Sequence, residues 1–358
     1  MKYALIGCGR VAINHIKAVL KNDLEVVALC DLELSNIDVL LEKTGFKTPA
    51  DRYVDYKKMI DEHPEIELVA IATDSGVHAE IAKYCLKHNI NVIVEKPIAM
   101  SIKDANEMIK LAEQKGLVLS VCHQNRFNQA VQKTRQALES NRFGKMSHGS
   151  INVRWSRDKN YYDQASWRGK WLSDGGALMN QCIHGIDLLC WMLGDEVEEV
   201  YGTLGQQFHP YIECEDVGMA VLKFRNGAIA TIEGTVNVYP KNLEETLYLF
   251  GEKGTVKLGG TSCNNIDVWD FSDANDEDLS ARGLLEQTPN VYGSGHISLY
   301  SDVIKAIKEH NKPYVDGYAG KKALEIVLAI YKSQLTGKPV KLPLDDFSTE
   351  EMIGLFYK

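Results

Sequence analysis

Residues 3–15 read YALIGCGRVAINH, an apolar strand pattern that passes through a glycine turn into a helix-forming segment. Gly7, Gly9 and Ala12 have the spacing GxGxxA. The first glycine allows a tight turn, the second lets backbone N–H groups approach a pyrophosphate at the helix N-terminus, and the small third residue permits close helix packing. We therefore expect a dinucleotide here; a glycine turn in another α/β fold is the alternative. The expected contacts are Gly7, Gly9, Arg10 and Val11.

A second apolar strand, residues 25–31 (EVVALCD), ends in Asp31, 19 residues after Ala12. An acidic residue at this distance accepts a hydrogen bond from the ribose 2′-hydroxyl of the dinucleotide and repels a 2′-phosphate. The following residues, DLELSN, contain no Arg or Lys to reverse that preference. The sequence therefore predicts NAD as the cofactor rather than NADP.

Short apolar strands alternate with helix-period segments over residues 1–122, and we expect them to form an NAD-binding domain. Apolar strands without alternation, joined by helices, are typical of a parallel sheet covered on both faces. The fold class predicted is α/β, with an N-terminal Rossmann domain built on a doubly wound parallel sheet. The expected strands are 3–7, 25–31, 68–73, 91–96 and 117–122.

From residue 123 the strands become longer and alternate between apolar and polar residues, and residues 226–227 (Asn-Gly) predict a hairpin turn. We expect 123–358 to form an α+β domain for substrate binding and oligomerisation, with a large, open, mostly antiparallel sheet and a helix at 176–193 against it. The C-terminal helix, 320–334, is a candidate to pack back on the first domain. Segment 260–295 is acidic and weakly patterned, so we expect a surface loop. The expected strands are 147–157, 217–224, 228–236, 245–251 and 254–259.

Composition limits the possible partners. The net charge of −9 argues against a general nucleic-acid or membrane surface, because such surfaces need a positive excess. No run of about 18 apolar residues occurs, and the N-terminus lacks the pattern of a signal peptide, so we expect a cytoplasmic protein. The eight cysteines are scattered without a CxxC pair, which favours reduced, buried thiols over disulfides and predicts no metal site.

Polar residues follow several of the predicted parallel strands. Glu95, Lys96 and Pro97 end one strand, and Thr73 and His78 follow another. Ligands bind at the carboxyl ends of such strands, so Lys96 is positioned to contact substrate and cofactor. Single residues of this kind are as often turn or capping residues. Further expected cofactor contacts are Thr73, His78, Glu95, Lys96 and Gln124, with Asn125 as the alternative to Gln124.

Residues 154–171 (RWSRDKNYYDQASWRGKW) combine five basic side chains with five aromatic ones. Arginine binds phosphate or carboxylate in bidentate fashion while rings stack on a base or sugar, so we expect an anionic ligand with flat faces. A solvated loop with aromatic anchors is the alternative, and RNA binding fits the acidic chain poorly. The residues proposed for substrate are Arg154, Arg157 and Tyr162, and those for cofactor are Trp167 and Arg168.

His184 lies within an apolar helical run, NQCIHGIDLLCW (180–191). Asn180 and His184 are four residues apart and share one face of an α-helix, and Asp187 is placed to orient the imidazole. A lone histidine in such a helix is more often structural, and spacing by itself does not separate that reading from an acid/base role.

The glycine motif with Asp31, the EKP at 95–97 and the GGALMNQCIHGIDLL at 175–189 together resemble the glucose-fructose oxidoreductase/inositol dehydrogenase (Gfo/Idh/MocA) family, over essentially the whole chain. The resemblance implies an NAD(P)-dependent oxidoreductase acting on CH–OH groups. It also implies that Lys96 hydrogen-bonds the substrate hydroxyl or relays its proton, and that His184 is the general acid/base. Many members of that family carry Asp four residues before the histidine. This chain has Asn180, which cannot ionise and would only position a hydroxyl.

The segments HQNRFNQAV and RDKNYYDQASWRGKWLSDGGALMNQCIHGIDLLCWMLG are similar to the branch that includes UDP-N-acetyl-2-amino-2-deoxyglucuronate dehydrogenase, where Asn at this position is characteristic. The resemblance implies oxidation of the 3-hydroxyl of a UDP-linked N-acetyl-hexosaminuronate in surface-polysaccharide sugar biosynthesis, by a homodimer or homotetramer. The alternatives are an NAD-dependent dehydrogenase of a free sugar, polyol or inositol, and a non-catalytic NAD-bound sugar sensor.

Overall fold

The computed structural model describes residues 1–194, 196–274, 277–285 and 295–356. The chain divides into two compact units. The first contains Met1–Cys122 and His296–Lys321, and the second contains His123–Gly295 and Lys322–Lys358.

The secondary structure follows the expected order. The strands are Lys2–Ile6 (β1), Glu25–Cys30 (β2), Asp51–Tyr53 (β3), Leu68–Ile71 (β4), Asn91–Val94 (β5), Leu119–Val121 (β6), Met146–Arg154 (β7), Val197–Gly205 (β8), Val217–Phe224 (β9), Ile229–Thr235 (β10), Glu244–Gly251 (β11), Gly254–Gly259 (β12), Asn265–Phe271 (β13) and Val340–Lys341 (β14). The α-helices are Ala12–Lys21 (α1), Leu34–Thr44 (α2), Tyr56–Glu62 (α3), His78–Lys87 (α4), Ile102–Lys115 (α5), Gln129–Glu139 (α6), Lys159–Asp163 (α7), Ile183–Leu193 (α8), Glu277–Ala281 (α9), Gly295–Glu309 (α10) and Gly317–Thr336 (α11).

The first unit is built on a six-stranded sheet in the order β3-β2-β1-β4-β5-β6, in which every pair is parallel. All residues of β4 are buried, as are the last three of β5, which explains why these strands are uniformly apolar. The order reverses between β1 and β4, so this point at the carboxyl ends of the strands is where a doubly wound sheet binds its ligand. The predicted Rossmann domain is confirmed.

The helix α10 supplies buried side chains to the first unit although it lies late in the chain. The Tyr300 hydroxyl is 2.9 Å from the Tyr3 hydroxyl on β1 and 2.6 Å from Nδ1 of His15 on α1. Sequence analysis placed residues 296–321 in the second domain and considered only a later helix as a candidate to pack back. The compact unit is discontinuous in sequence because these aromatic and polar partners are separated by nearly the whole chain.

The second unit contains an eight-stranded sheet in the order β13-β12-β11-β7-β10-β9-β8-β14. Only β7 and β10 pair in parallel among its described strands, so the predicted, mostly antiparallel sheet is confirmed. The Asn226-Gly227 turn joins β9 to β10, and Gly227 has φ +89°, a conformation that favours glycine. Helix α8 packs on β7 and β11.

Two local expectations need correction. Segment 260–295 contains strand β13 and helix α9 as well as loops, since Ile266, Trp269 and Phe271 are buried on one side of β13; residues 275–276 and 286–294 of this segment lie outside the described residues. The helix expected at 176–193 begins as a π-helical turn, Leu178–Cys182, before α8.

No helix among the described residues is both long and apolar enough to cross a membrane.

Candidate functional site

The turn between β1 and α1 has room for a ligand against its backbone. Gly7 has φ +91°, and a Cβ there would lie 2.5 Å from the Ala72 carbonyl atoms, so no side chain fits. A Cβ on Gly9, in contrast, would meet no heavy atom within 4 Å, which leaves the backbone open at the N-terminus of α1. Such an exposed helix start binds the pyrophosphate of a dinucleotide. Arg10 is exposed and Val11 is the N-cap residue of this helix.

Asp31 lies immediately after β2, and its carboxylate is held by the surrounding turn. One oxygen, Oδ2, accepts from the backbone N–H of Cys8 at 2.7 Å, and Oδ1 accepts from the N–H of Glu33 and from Asn36, each at 2.9 Å. These bonds orient the side chain beside the glycine turn. A carboxylate fixed at this place fits the ribose hydroxyls of NAD and carries a negative charge toward any 2′-phosphate.

Lys96 is half-buried at the end of β5, beside a buried carboxylate. Glu95 Oε1 accepts from Nε2 of both His15 and His296, each at 3.1 Å, and Glu95 Oε2 lies 3.3 Å from the backbone N of Lys96. Burial tends to raise the pKa of Glu95, but the hydrogen bonds and charges of the two histidines hold it well below its ordinary value. Sequence analysis missed His15 and His296, because no local pattern connects them to Glu95.

These side chains also form a group with metal-binding donor types. His15, Glu95, Cys122 and His296 are all buried, and their ligand atoms lie within 4.8 Å of one another. The described donors and acceptors already match without an ion. Each imidazole offers Nε2–H to the carboxylate, and the second nitrogen of His15 is 2.6 Å from the Tyr300 hydroxyl. The arrangement is therefore that of a hydrogen-bond network around an ionised Glu95.

Thr73 and His78 follow β4 at the same edge of the sheet. The Thr73 hydroxyl donates to the Asp74 carbonyl at 3.1 Å. His78 is 1% exposed, its Nδ1 is 2.8 Å from the Pro97 carbonyl oxygen and its Nε2 is 3.3 Å from that of Thr73. The His78 ring thus serves the main chain next to Lys96, and its direct contact with a cofactor stays a prediction.

In the second unit, His184 lies in the first turn of α8 and is 7% exposed. Asn180 lies in the π-helical turn that precedes it and donates from Nδ2 to Asp174 Oδ1, while Asp174 Oδ2 accepts from the N–H of Gly169. The spacing of Asn180 and His184 therefore crosses a π-to-α junction rather than one regular α-helix. Such one-turn irregularities are frequent at functional sites, because they redirect side chains.

Asp187 has a different partner from the one expected. Arg126 donates to both of its carboxylate oxygens, from Nε at 2.7 Å and from Nη2 at 2.6 Å, and both side chains are buried. His123 approaches the same carboxylate, with Nδ1 3.9 Å from Oδ2, and its ring meets that of His184 edge-on at 5.7 Å between centroids. The Asp187 carboxylate thus primarily anchors α8 to the segment after β6. Sequence analysis missed Arg126 and His123 as neighbours of this helix.

Two guanidinium groups flank one ring in the segment 154–171. The Arg157 Cζ atom lies 4.9 Å from the Tyr161 ring centroid and the Arg168 Cζ atom 4.2 Å, and Arg168 Nη1 donates to the Tyr161 hydroxyl at 2.5 Å. Gln181, from the π-helical turn, donates to the same hydroxyl at 3.2 Å. Within the described part of the chain neither guanidinium forms an ion pair, so two cations that are not neutralised by carboxylates lie next to the His184 helix.

The other residues expected from this segment have more structural surroundings. Arg154 forms ion pairs with Glu233 and Glu244, at 2.5 Å each, so its charge is already balanced by neighbouring strands. Tyr162 is 8% exposed and meets Tyr161 edge-on at 5.1 Å between centroids.

Trp167 and Gln124 also belong to the second unit. The Trp167 ring lies 4.6 Å from the Arg168 Cζ atom, and Gln124 is 1% exposed. Contacts of Gln124, Trp167 and Arg168 with the cofactor stay predictions.

A buried carboxyl that sequence analysis missed shapes the π-helical turn. Glu215 Oε1 accepts from the backbone N–H of Leu178 and from the Tyr331 hydroxyl, each at 2.9 Å. A Cβ on Gly176 would collide with Glu215 Oε2, which explains the second glycine of the GGAL segment. Burial raises the pKa of Glu215 to about 8, so the group is largely neutral at pH 7.

Comparisons with known proteins agree with this geometry. The model described as "Oxidoreductase family, NAD-binding Rossmann fold" matches residues 1–123, and the "GFO/IDH/MocA C-terminal domain" model matches 131–257. The chain is 36% identical to the WlbA dehydrogenase of Bordetella pertussis, solved in complex with NADH and UDP-GlcNAcA, over 96% of this chain and 98% of that one, with a TM-score of 0.87.

Two further proteins extend the comparison. The WlbA dehydrogenase of Chromobacterium violaceum, solved with the same two ligands, is also 36% identical, over 96% of both chains, with a TM-score of 0.86. The myo-inositol 2-dehydrogenase of Thermotoga maritima is 25% identical over 363 residues, which cover 99% of this chain and 100% of the relative.

Proposed function

The chain belongs to the GFO/IDH/MocA oxidoreductase family, and from that premise we propose that it oxidises the 3-hydroxyl of a UDP-linked N-acetyl-hexosaminuronate. It is an NAD-dependent oxidoreductase of the group whose relatives are sugar and polyol dehydrogenases. The nucleotide-linked substrate, and its use in making surface-polysaccharide sugars, are the finer part of the proposal.

The observation that carries the nucleotide-sugar proposal is the pair of guanidiniums at Arg157 and Arg168. A UDP-hexuronate has a diphosphate and a carboxylate, whereas a free polyol has no anion to match two cations. Aromatic rings beside them suit a base or sugar face. The identity to the two WlbA dehydrogenases supports the same choice, since both were solved with UDP-GlcNAcA.

The proposed chemistry assigns one proton and one hydride to different acceptors. Bound NAD takes the hydride from the substrate carbon. His184 accepts the hydroxyl proton as the C–O bond becomes a carbonyl and later releases it to solvent. Lys96 donates a hydrogen bond to the same oxygen or relays its proton. Asn180, held by Asp174, positions a hydroxyl and does not ionise.

A homo-oligomer is part of the proposal, and the open face of the second sheet supports it. Tyr201, Met219, Val221 and Ile229 on β8, β9 and β10 are between 48% and 54% exposed. Apolar side chains on neighbouring strands of one sheet face favour burial against a second copy of the chain. We also propose a cytoplasmic location, because all eight cysteines are buried thiols.

The test is turnover with NAD on UDP-GlcNAcA, UDP-GlcNAc and myo-inositol, with the product identified by mass spectrometry as a loss of two hydrogens. We expect turnover on UDP-GlcNAcA. Arg157→Leu and Arg168→Leu should each raise its KM about tenfold or more, because each removes one charge-assisted contact. Arg225→Leu is the control, since this exposed arginine lies at the turn after β9.

The second candidate, a dehydrogenase of a free polyol, is favoured by the full-length similarity to myo-inositol 2-dehydrogenase. Turnover on myo-inositol with none on UDP-GlcNAcA, and no effect of the arginine variants, would establish it instead. Tight NAD binding without turnover on any sugar would favour a non-catalytic sensor.

A further inference from the structure

The chain on both sides of Lys96 is held by buried histidines. We propose that His15, His78 and His296 are positioning residues that fix the Lys96 backbone, an inference that rests on the role proposed above for Lys96. The three histidines come from α1, α4 and α10, and all three are at most 2% exposed.

On the N-terminal side the hold passes through Glu95. His15 and His296 both lie 3.1 Å from Glu95 Oε1, and the other oxygen of the same carboxylate lies 3.3 Å from the backbone N of Lys96. Rotation of this carboxylate would break contacts at both ends. The two imidazoles therefore set the position of the group that accepts from the Lys96 backbone.

On the C-terminal side the hold passes through Pro97. A carbonyl oxygen only accepts, so the 2.8 Å contact requires His78 to donate from Nδ1–H to Pro97. Burial lowers the pKa of His78 despite its carbonyl partners, which keeps the ring neutral with its proton on Nδ1. Lys96 thus lies between two anchored peptide units.

The protonation states are mutually consistent. Burial lowers the pKa of His15 although Glu95 opposes the shift, so His15 is neutral, donates from Nε2 and accepts from the Tyr300 hydroxyl on Nδ1. The other groups that face Glu95 are His296, the Cys122 thiol and Lys96. Burial and Glu95 raise the pKa of Cys122 well above its usual range, so the thiol stays neutral.

The functional consequence follows from the flexibility of lysine. Its four-carbon stem has many rotamers, so the ammonium reaches one site reproducibly only if its backbone is fixed. A shift of about 1 Å in such a group costs up to about 100-fold in rate without preventing ligand binding. The histidines should therefore affect turnover more than affinity.

The experiment compares His296→Leu with His296→Gln, whose Nε2 can replace the imidazole donor. We expect His296→Leu to lower kcat about tenfold or more, with the Kd for NAD and the substrate KM within about threefold of wild type, and His296→Gln to recover most of kcat. His78→Leu and His78→Asn form the corresponding pair for the Nδ1 donor. His88→Leu, at an exposed histidine of the same unit, should leave kcat unchanged.

A second measurement does not depend on the substrate. Competitive acetylation with acetic anhydride, read by mass spectrometry as a function of pH, reports the reactivity of Lys96 relative to the exposed Lys43. His296→Leu should shift the Lys96 profile and His296→Gln should restore it, even if every tested sugar is inert, which separates this inference from the proposed function. Melting temperatures identify variants that fail to fold.

Two results would overturn the inference. One is a folded His296→Leu enzyme with wild-type kcat and an unchanged Lys96 labelling profile. The other is one equivalent of a tightly bound metal per purified chain that His296→Gln releases, because the four clustered donors would then hold an ion rather than the carboxylate network.

Discussion

Replacing Glu245 by Gln should stabilise the protein above pH 7 while leaving its stability near pH 4 almost unchanged. Glu245 lies on β11, is 1% exposed and faces α8, with Oε1 3.2 Å from where a Cβ on Gly185 would lie. Within the described residues Oε1 has no hydrogen-bond partner, and burial alone raises the pKa of this carboxyl to about 8.

The sign of the pH dependence follows from this direction. Because the folded-state pKa is raised above that of the unfolded chain, the folded protein holds a proton that the unfolded chain loses above about pH 4.5. The stabilisation is complete below that pH and is lost as the pH rises toward 8. Each pH unit corresponds to about 1.4 kcal/mol, so roughly 3 kcal/mol of unfolding free energy is lost by pH 7. Glutamine does not titrate and removes this loss.

The assay is urea unfolding at pH 4.5, 6, 7 and 8 at constant ionic strength, followed by tryptophan fluorescence. The five tryptophans, Trp155, Trp167, Trp171, Trp191 and Trp269, all belong to the same unit as Glu245. We expect the variant to match wild type within about 1 kcal/mol at pH 4.5 and to exceed it by about 3 kcal/mol at pH 7. Glu42→Gln, on the exposed face of α2, is the control and should show no such divergence. Parallel pH curves for wild type and Glu245→Gln would refute the argument, because the carboxyl would then titrate normally in the folded state.

Three other substitutions test the site. His184→Ala should lower kcat about 100-fold or more while the Kd for NAD stays within about twofold of wild type, measured by steady-state turnover and NADH fluorescence; unchanged turnover would remove His184 as the acid/base. Asp31→Asn should raise the ratio of NADP to NAD affinity about tenfold or more, measured by cofactor titration, because the charge facing a 2′-phosphate is lost; an unchanged ratio would mean that another group selects the cofactor. Arg126→Leu should lower the unfolding free energy by about 3–5 kcal/mol, since it leaves Asp187 charged and buried, and Arg126→Leu combined with Asp187→Leu should recover much of that loss; an equal or larger loss in the double variant would contradict the pairing argument.

Much of the first unit was predictable because its signals are local. The GxGxxA turn, the apolar strands and Asp31 depend on residues close in sequence, and all lie where they were expected. The short edge strand β3 was missed because three residues carry no measurable period. In the second unit the hairpin at Asn226-Gly227 was predictable for the same local reason.

The candidate site was predictable only in part. Lys96 and His184 were identified from motifs, but their supports were not. The π-helical turn depends on Glu215 accepting from its first residue, and Arg154 is balanced by carboxylates on two other strands. The expected role of Asp187 failed because helical spacing identifies which residues share a face but not what packs against that face.

By itself the sequence determined the parallel and mixed sheets, the glycine turn and the choice of an acidic residue for the ribose, since these follow from local periodicity and conformational preference. Only the tertiary structure decided that residues 296–309 complete the first unit and that Glu95 is ionised between His15 and His296. It also paired Arg126 with Asp187. Such pairs depend on chain segments that approach through the packing of whole elements, and their charges depend on burial, which no local pattern encodes.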